Sequence, residues 1–309
     1  DYLATLDDKQ RAASLLKFDS QQRFDWHFIP KDSRKGLVVR EMNEKQRQAA
    51  HALLKTSLSE LGYAKATKIM ELEEVLAQLE GDKEHKKRDP LKYYFTLFGE
   101  PKADGKWGLS VEGHHLSFNY VVESGKVVAS TPQFMAANPT TVKKTYATTP
   151  KLKKGEQVLA AEEQLAFDLL AALDDKQRKV AIIADKAPAE IRAAGEAQPP
   201  QEKPVGIASA QLNQEQEEIL EKLIDEYIRA MPADVAAQRR REIRDNKSHK
   251  VYFAWAGATK PGIGHYYRVQ GSTFLIEFVN TQPDAAGNPA SHIHCVWRDP
   301  RGDFGVAIK

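Results

Sequence analysis

Leu6-Asp7-Asp8-Lys9-Gln10-Arg11 returns letter for letter as Leu173-Asp174-Asp175-Lys176-Gln177-Arg178, and the recurrence organises the chain. Met42-Asn43-Glu44-Lys45-Gln46 is echoed by Leu212-Asn213-Gln214-Glu215-Gln216. Tyr94-Phe95 ahead of Gly99 is matched by Tyr252-Phe253 ahead of Gly257, and Gly113, which opens an alternating run, by Gly271. The four landmarks keep their order at offsets of 167, 170, 158 and 158 residues. That constancy points to internal duplication. Two pseudo-repeated halves are expected, residues 1–152 and 153–309, with a short junction around Pro150 to Gly155 that lets them merge into one domain.

The repeated pieces have a legible physics. Asp7/Gln10, Asn43/Gln46, Asp174/Gln177 and Asn213/Gln216 each set a capping side chain three residues before Gln, a variant of the capping box. Ala50, Leu53, Leu54, Leu58 and Leu61 follow the Asn43 box at helical spacing. Ile219, Leu220, Leu223, Ile224 and Tyr227 follow the Asn213 box in the same way. A further helix is expected from about Ala64 to Leu79. The period then falls to two, over Tyr93–Phe98, Trp107–Val111, His115–Val122 and Lys126–Ser130, and again over Val251–Trp255, Tyr266–Gln270, Thr273–Val279 and His292–Trp297. Each half therefore reads as a helical layer followed by an antiparallel sheet, an α+β fold. The stretches Gly81–Pro90 and Gly195–Gly206 read as a charged connection and a proline-rich loop.

Composition narrows the function. Of 309 residues 41% are hydrophobic and 28% charged, enough apolar material for a core and too much for a disordered chain. Forty-five Lys and Arg against 43 Asp and Glu leave a net charge of +2, which argues against a nucleic-acid partner. The basic runs Lys143-Lys144, Lys151–Lys154 and Arg239-Arg240-Arg241 are scattered and read as solvated faces. No apolar run reaches the ~18–20 residues of a membrane span. The lone cysteine, Cys295, excludes a disulfide framework and a cysteine-based zinc knuckle, and it reads as an inert core thiol. Because the first residue is Asp1 and not Met, a processed chain with a removed export signal stays open. Asp303-Phe304-Gly305 has no glycine-rich loop or His-Arg-Asp beside it, so phosphoryl transfer is rejected.

Nine histidines remain. His51, His85 and His249 are isolated and read as structural or surface residues, and His27, among aromatic neighbours, as a packed core residue. His114-His115 and His292-Ile293-His294 are clustered. Residues two apart on a strand share a face, so His292 and His294 project together while Ile293, Cys295 and Trp297 point to the core. By the same parity His115 opposes Leu116, Phe118 and Tyr120, and Glu277 sits between Ile276 and Phe278. A buried carboxylate there needs a counter-charge, a hydrogen bond or a cation. If the halves face each other, His115, His292, His294 and Glu277 converge, with His114 beside them. Three imidazoles and a carboxylate suit one transition-metal ion, zinc or copper ahead of iron, and not calcium or magnesium. The competing structural reading has the histidines bonding backbone carbonyls and Glu277 pairing with Arg268 or Arg298.

Trp26-His27-Phe28-Ile29-Pro30, Tyr93-Tyr94-Phe95, Gly113-His114-His115-Leu116-Ser117, Tyr252–Gly257 and His292-Ile293-His294-Cys295-Val296-Trp297-Arg298-Asp299 carry a resemblance that spans nearly the whole chain. The sequence resembles the bacterial family catalogued as domain of unknown function 3500. The resemblance implies no activity; members often look exported, which implies a periplasmic or secreted location, with a cytoplasmic one as the alternative. The residues themselves leave two classes of function. One is a metal-binding protein, in particular a hydrolytic or copper/iron oxidative metalloenzyme acting on a small molecule. In it His115, His292 and His294 ligate, Glu277 is a fourth ligand or general base, and Trp107, Tyr266, Arg268 and Arg298 line the pocket. The other is a non-catalytic exported binding protein that uses an aromatic sheet pocket or a helical partner surface, with a metal carrier between the two.

Overall fold

The computed structural model describes residues 1–246 and 250–308, so His249 lies outside the described residues. The helices are α1 (Asp8–Ser14), α2 (Glu44–Thr56), α3 (Glu60–Glu80), α4 (Ala160–Ala172), α5 (Asp175–Ala181), α6 (Gln214–Ile228) and α7 (Ala233–Asp245). The early strands are β1 (Leu15–Leu16), β2 (Leu37–Val38), β3 (Tyr94–Phe98), β4 (Lys106–Gly113), β5 (Leu116–Glu123), β6 (Lys126–Ala129) and β7 (Gln133–Ala137). The later ones are β8 (Ile182–Ala184), β9 (Ile207–Ala208), β10 (Tyr252–Gly257), β11 (His265–Gln270), β12 (Leu275–Asn280) and β13 (Ile293–Arg298). The fold is α+β.

All four capping boxes form, at the starts of α1, α2, α5 and α6. Their glutamines also pair with one another. Gln46 Nε2 donates to Gln10 Oε1 at 2.6 Å, and Gln216 Nε2 to Gln177 Oε1 at 2.8 Å. A side chain that caps its own helix thus docks a second one.

All thirteen described strands belong to one mixed sheet, the merged arrangement that the short junction allows. The main path runs β1-β3-β4-β5-β7-β13-β12-β11-β10-β8, with β2, β6 and β9 paired off it. The end pairs β1·β3 and β8·β10 are parallel, and the neighbours β7 and β13 at the middle are antiparallel. The sequence reading missed β7. Gln133-Phe134-Met135-Ala136-Ala137, bounded by Pro132 and Pro139, does not alternate, and it is buried on both faces as a central strand.

One face of the sheet packs on the helices: Ile276, Phe278, Ile293, Cys295 and Trp297 join Leu54, Ile69, Leu72, Leu169 and Leu223 in the main core. The strand parity read for Ile293, Cys295 and Trp297 therefore holds. Cys295 Sγ lies 3.2 Å from the Met135 carbonyl, and burial pushes its thiol pKa up, as expected for an unreactive core residue. The other face is covered by irregular chain. Trp26, Phe28, Ile191 and Phe304 close over Phe134, Ala136, Val279 and Val296 in a second, smaller core. Arg239 departs from the solvated face expected of its run. It is buried, 4.4 Å over the Trp297 ring and 2.9 Å from Gln133 Oε1. No described helix is long and apolar enough to cross a membrane.

Candidate metal centre

The register of the central strands brings the histidines together. Ala136 on β7 pairs with His294 on β13, and the Ala136 N–H donates to the His115 carbonyl at 3.0 Å. His115 and His294 thus flank one strand, and the methyl of Ala136 leaves room for two imidazoles to meet above it. His115 is not on a strand, as parity assumed. It sits in the two-residue turn between β4 and β5 with φ of +65°, and the Phe28 carbonyl accepts from its N–H at 2.9 Å. A left-handed backbone costs an L-residue about 1 kcal/mol or more. Such a conformation held from both sides is a mark of functional sites. His292, just before β13, donates its N–H to Asn280 Oδ1 at 3.0 Å.

The three rings converge nitrogen to nitrogen. His292 Nε2 lies 2.8 Å from His115 Nε2 and 2.9 Å from His294 Nε2. The rear of each ring differs. His294 Nδ1 lies 2.8 and 2.9 Å from the two oxygens of Glu190, which fixes the tautomer and leaves the Nε2 lone pair facing inward. His292 Nδ1 is 3.3 Å from the Asn138 amide, whose Oδ1 has no partner as oriented. His115 Nδ1 is buried without one. Phe28 and Phe134, stacked 3.8 Å apart, wall the His294 ring.

Proton counting shows what this geometry asks for. An imidazole nitrogen carries one proton or one lone pair. A single proton on His292 Nε2 would have to serve two acceptors at once. A cation serves all three lone pairs. It also sets a proton on His292 Nδ1, for which the Asn138 Oδ1, after a turn of the amide, is an acceptor. Burial, then neighbouring imidazoles and Arg88, pushes the His115 pKa well below its usual value. Burial, followed by His294, takes His292 down to about 3, so both rings offer free lone pairs at neutral pH. The observed separations are somewhat shorter than the roughly 3.3 Å edge of a tetrahedron with zinc–nitrogen bonds of about 2.0–2.1 Å. A shift of a few tenths of an ångström admits the ion. His115, His292 and His294 can hold a metal ion.

The family description "Protein of unknown function (DUF3500)" matches residues 1–306. The chain belongs to the DUF3500 family. None of the curated proteins and none of the solved structures matches it.

Other expected site residues of this DUF3500 protein face other partners. His114 lies against the His115 ring, centroids 3.6 Å apart, but directs its Nδ1 to a carboxylate behind it. Its Nδ1 is 2.5 Å from Glu73 Oε1, and the Arg88 guanidinium lies 3.1 Å from the same nitrogen. Glu73, His114 and His115 form a second group whose ligand atoms lie within 4.8 Å. Arg88 disfavours a cation in it, and burial pushes the Glu73 carboxyl up to about 8 against that same arginine.

Glu277 does not join the histidine group. Its Oε1 accepts from Arg192 Nε at 2.8 Å and from the Tyr266 hydroxyl at 2.5 Å, so its partner is Arg192 and not Arg268 or Arg298. It shares the face of His294 but pairs across the strands with Val296, one step further along. Arg268 lies opposite Glu277 on β11, buried. Arg298 is wholly buried, with Nε 2.6 Å from Asp303 Oδ2 and two more nitrogens on the Ala193 and Glu196 carbonyls. Trp107 sits at the end of β4 remote from His115 and packs against the helical core. None of the four lines the histidine group. Glu190 and Asn138, which do support it, carry no periodicity or spacing that the sequence reading could have used.

Proposed function

We propose that this DUF3500 protein binds one transition-metal ion through the Nε2 atoms of His115, His292 and His294 and acts as a mononuclear metalloenzyme. The supporting observation is the meeting of three Nε2 atoms, with His292 at 2.8 and 2.9 Å from the other two and Glu190 behind His294 orienting its ring. Imidazole ligands suit zinc and copper ahead of iron. Three protein ligands leave a position open to a substrate or water, as in catalytic zinc sites. The ligand set is neutral, so the ion keeps its full charge; when bound, it supplies Lewis-acid chemistry, the basis of the hydrolytic form of the proposal. Phe28 and Phe134 exclude water from the ring of His294 and keep the site's dielectric low.

A second reading, a metal carrier without turnover, is favoured by burial: His115 is 1% and His294 4% exposed, leaving only the half-buried His292 accessible. Both readings require the metal. Untagged protein analysed by mass spectrometry is expected to hold one equivalent of zinc or copper, falling to background in His292→Ala and His294→Ala. Protein that takes up neither ion, and whose melting temperature is unmoved by adding them, would overturn both. Glu190→Gln is expected to keep the fold and weaken metal binding roughly 10–100-fold, the usual cost of losing an outer carboxylate. Chelator competition measures it, and unchanged affinity would remove Glu190 from the site.

A further inference from the structure

A cavity of about 220 Å³ lies between α3 and the loops around Pro139 and Asp284. Its walls are apolar: Val75 and Leu79 from α3, with Pro139 and Tyr146 from the chain that follows β7. The two loops that shape it are the ones that hold His292. Asn138, beside Pro139, contacts the His292 ring at 3.3 Å, and the Thr140 N–H donates to the carbonyl of Ser291 at 2.9 Å. Asp284, also in the lining, belongs to the loop that leads to Ser291, whose N–H donates to the Gln282 carbonyl at 3.2 Å. The half-buried member of the ligand set is therefore the one held by the loops that shape the cavity.

The rim carries two exposed ammonium groups, Lys143 and Lys144. Neither has a carboxylate partner among the described residues, and Lys144 Nζ rests 4.9 Å over the Tyr146 ring. The only acid in the lining, Asp284, is committed to its own loop, where its oxygens accept from the Ala286 and Asn288 N–H groups at 2.9 Å and from Asn288 Nδ2 at 2.7 Å. The lining thus presents an apolar body and a net positive rim, as amphipathic ligands require.

We propose that this cavity binds a small amphipathic organic anion, its apolar body against Val75, Leu79 and Pro139 and its acid group at Lys143 and Lys144, and that such anions are the substrate class of the metal centre whose His292 the same loops hold. The substrate assignment rests on the metal-binding reading above; the anion pocket does not.

Calorimetric titration of the full chain with hydrocinnamate, zinc-loaded and chelator-stripped, tests it. Saturable binding to one site is expected. Hydrocinnamyl alcohol, the neutral analogue, and the acid on a Lys143→Gln/Lys144→Gln double variant should each bind at least roughly tenfold more weakly, about 1.4 kcal/mol. Both lysines are exposed, so the variant keeps the fold. Equal binding of acid and alcohol, no effect of the lysines, or no saturation would each overturn the pocket. In cobalt-substituted protein, the acid should also shift the visible absorption; binding without a shift would sever pocket from metal. Protein that binds the acid through the lysines but no metal would overturn the metal-binding reading and leave the pocket standing.

Discussion

Lys65→Met is expected to destabilise the protein by about 3–5 kcal/mol, the range found when one partner of a buried ion pair is removed. Lys65 Nζ sits between Glu162 Oε1 at 2.6 Å and Glu226 Oε1 at 2.5 Å, joining α3, α4 and α6 beneath the sheet. All three side chains are at most 8% exposed. Burial alone would lower the Lys65 pKa; the two carboxylates outweigh it, and the value is raised. The folded pKa thus exceeds the unfolded value. The stability from Lys65 is complete below about pH 10 and is lost as the pH rises through the folded pKa. Guanidinium unfolding at neutral pH measures the loss. A triple variant that also carries Glu162→Gln and Glu226→Gln should recover most of it, because the charges left unpaired are gone. A loss below about 1 kcal/mol in the single variant would show that the triad is hydrated in solution, as a surface pair is.

Arg298→Met is expected to cost a similar amount, about 3–5 kcal/mol, and to reach the candidate metal site. The guanidinium spans three partners, Asp303 Oδ2, the Ala193 carbonyl and the Glu196 carbonyl, and lies 5.3 Å over the Trp26 ring. Trp26 Nε1 donates to the Glu196 carbonyl as well. Together they pin the segment around Ala193–Glu196, only a few residues after Glu190, to the sheet. Without the arginine, Asp303 is a buried carboxylate lacking its counter-charge, and the segment is released. Arg298→Lys should fare little better, since one ammonium cannot reproduce a three-way fork. Chelator competition on folded variant protein is expected to show weaker metal binding than wild type. Wild-type stability in Arg298→Met would mean that the segment is held by its apolar contacts alone.

Much of the sheet was legible because a half-buried strand writes its faces into alternate residues. Parity placed His292 and His294 together and set Ile293, Cys295 and Trp297 against the helices. The three imidazoles do meet, but His115 reaches the late pair from a turn and not from the strand that parity assumed. Parity says nothing of position along a strand, however. Glu277 shares a face with His294 yet lies a step away, and Trp107 occupies the wrong end of the right strand. β7 stayed hidden because a strand buried on both sides has no alternation. Glu190 lies in Lys186-Ala187-Pro188-Ala189-Glu190, a stretch whose position is set by tertiary contacts and not by any local period.

The central β7·β13 pairing bears on how the protein matures. His115 and His292 are separated by 177 positions, and β13 is synthesised after the twelve other strands. A nascent chain that has made the first seven strands has one ligand and no partner for it, so premature capture of an ion in this geometry is impossible. Metal loading, if the three imidazoles are its seat, is a closing event in biogenesis. A chain that misplaced its final strand would lack two of the three imidazoles at this point.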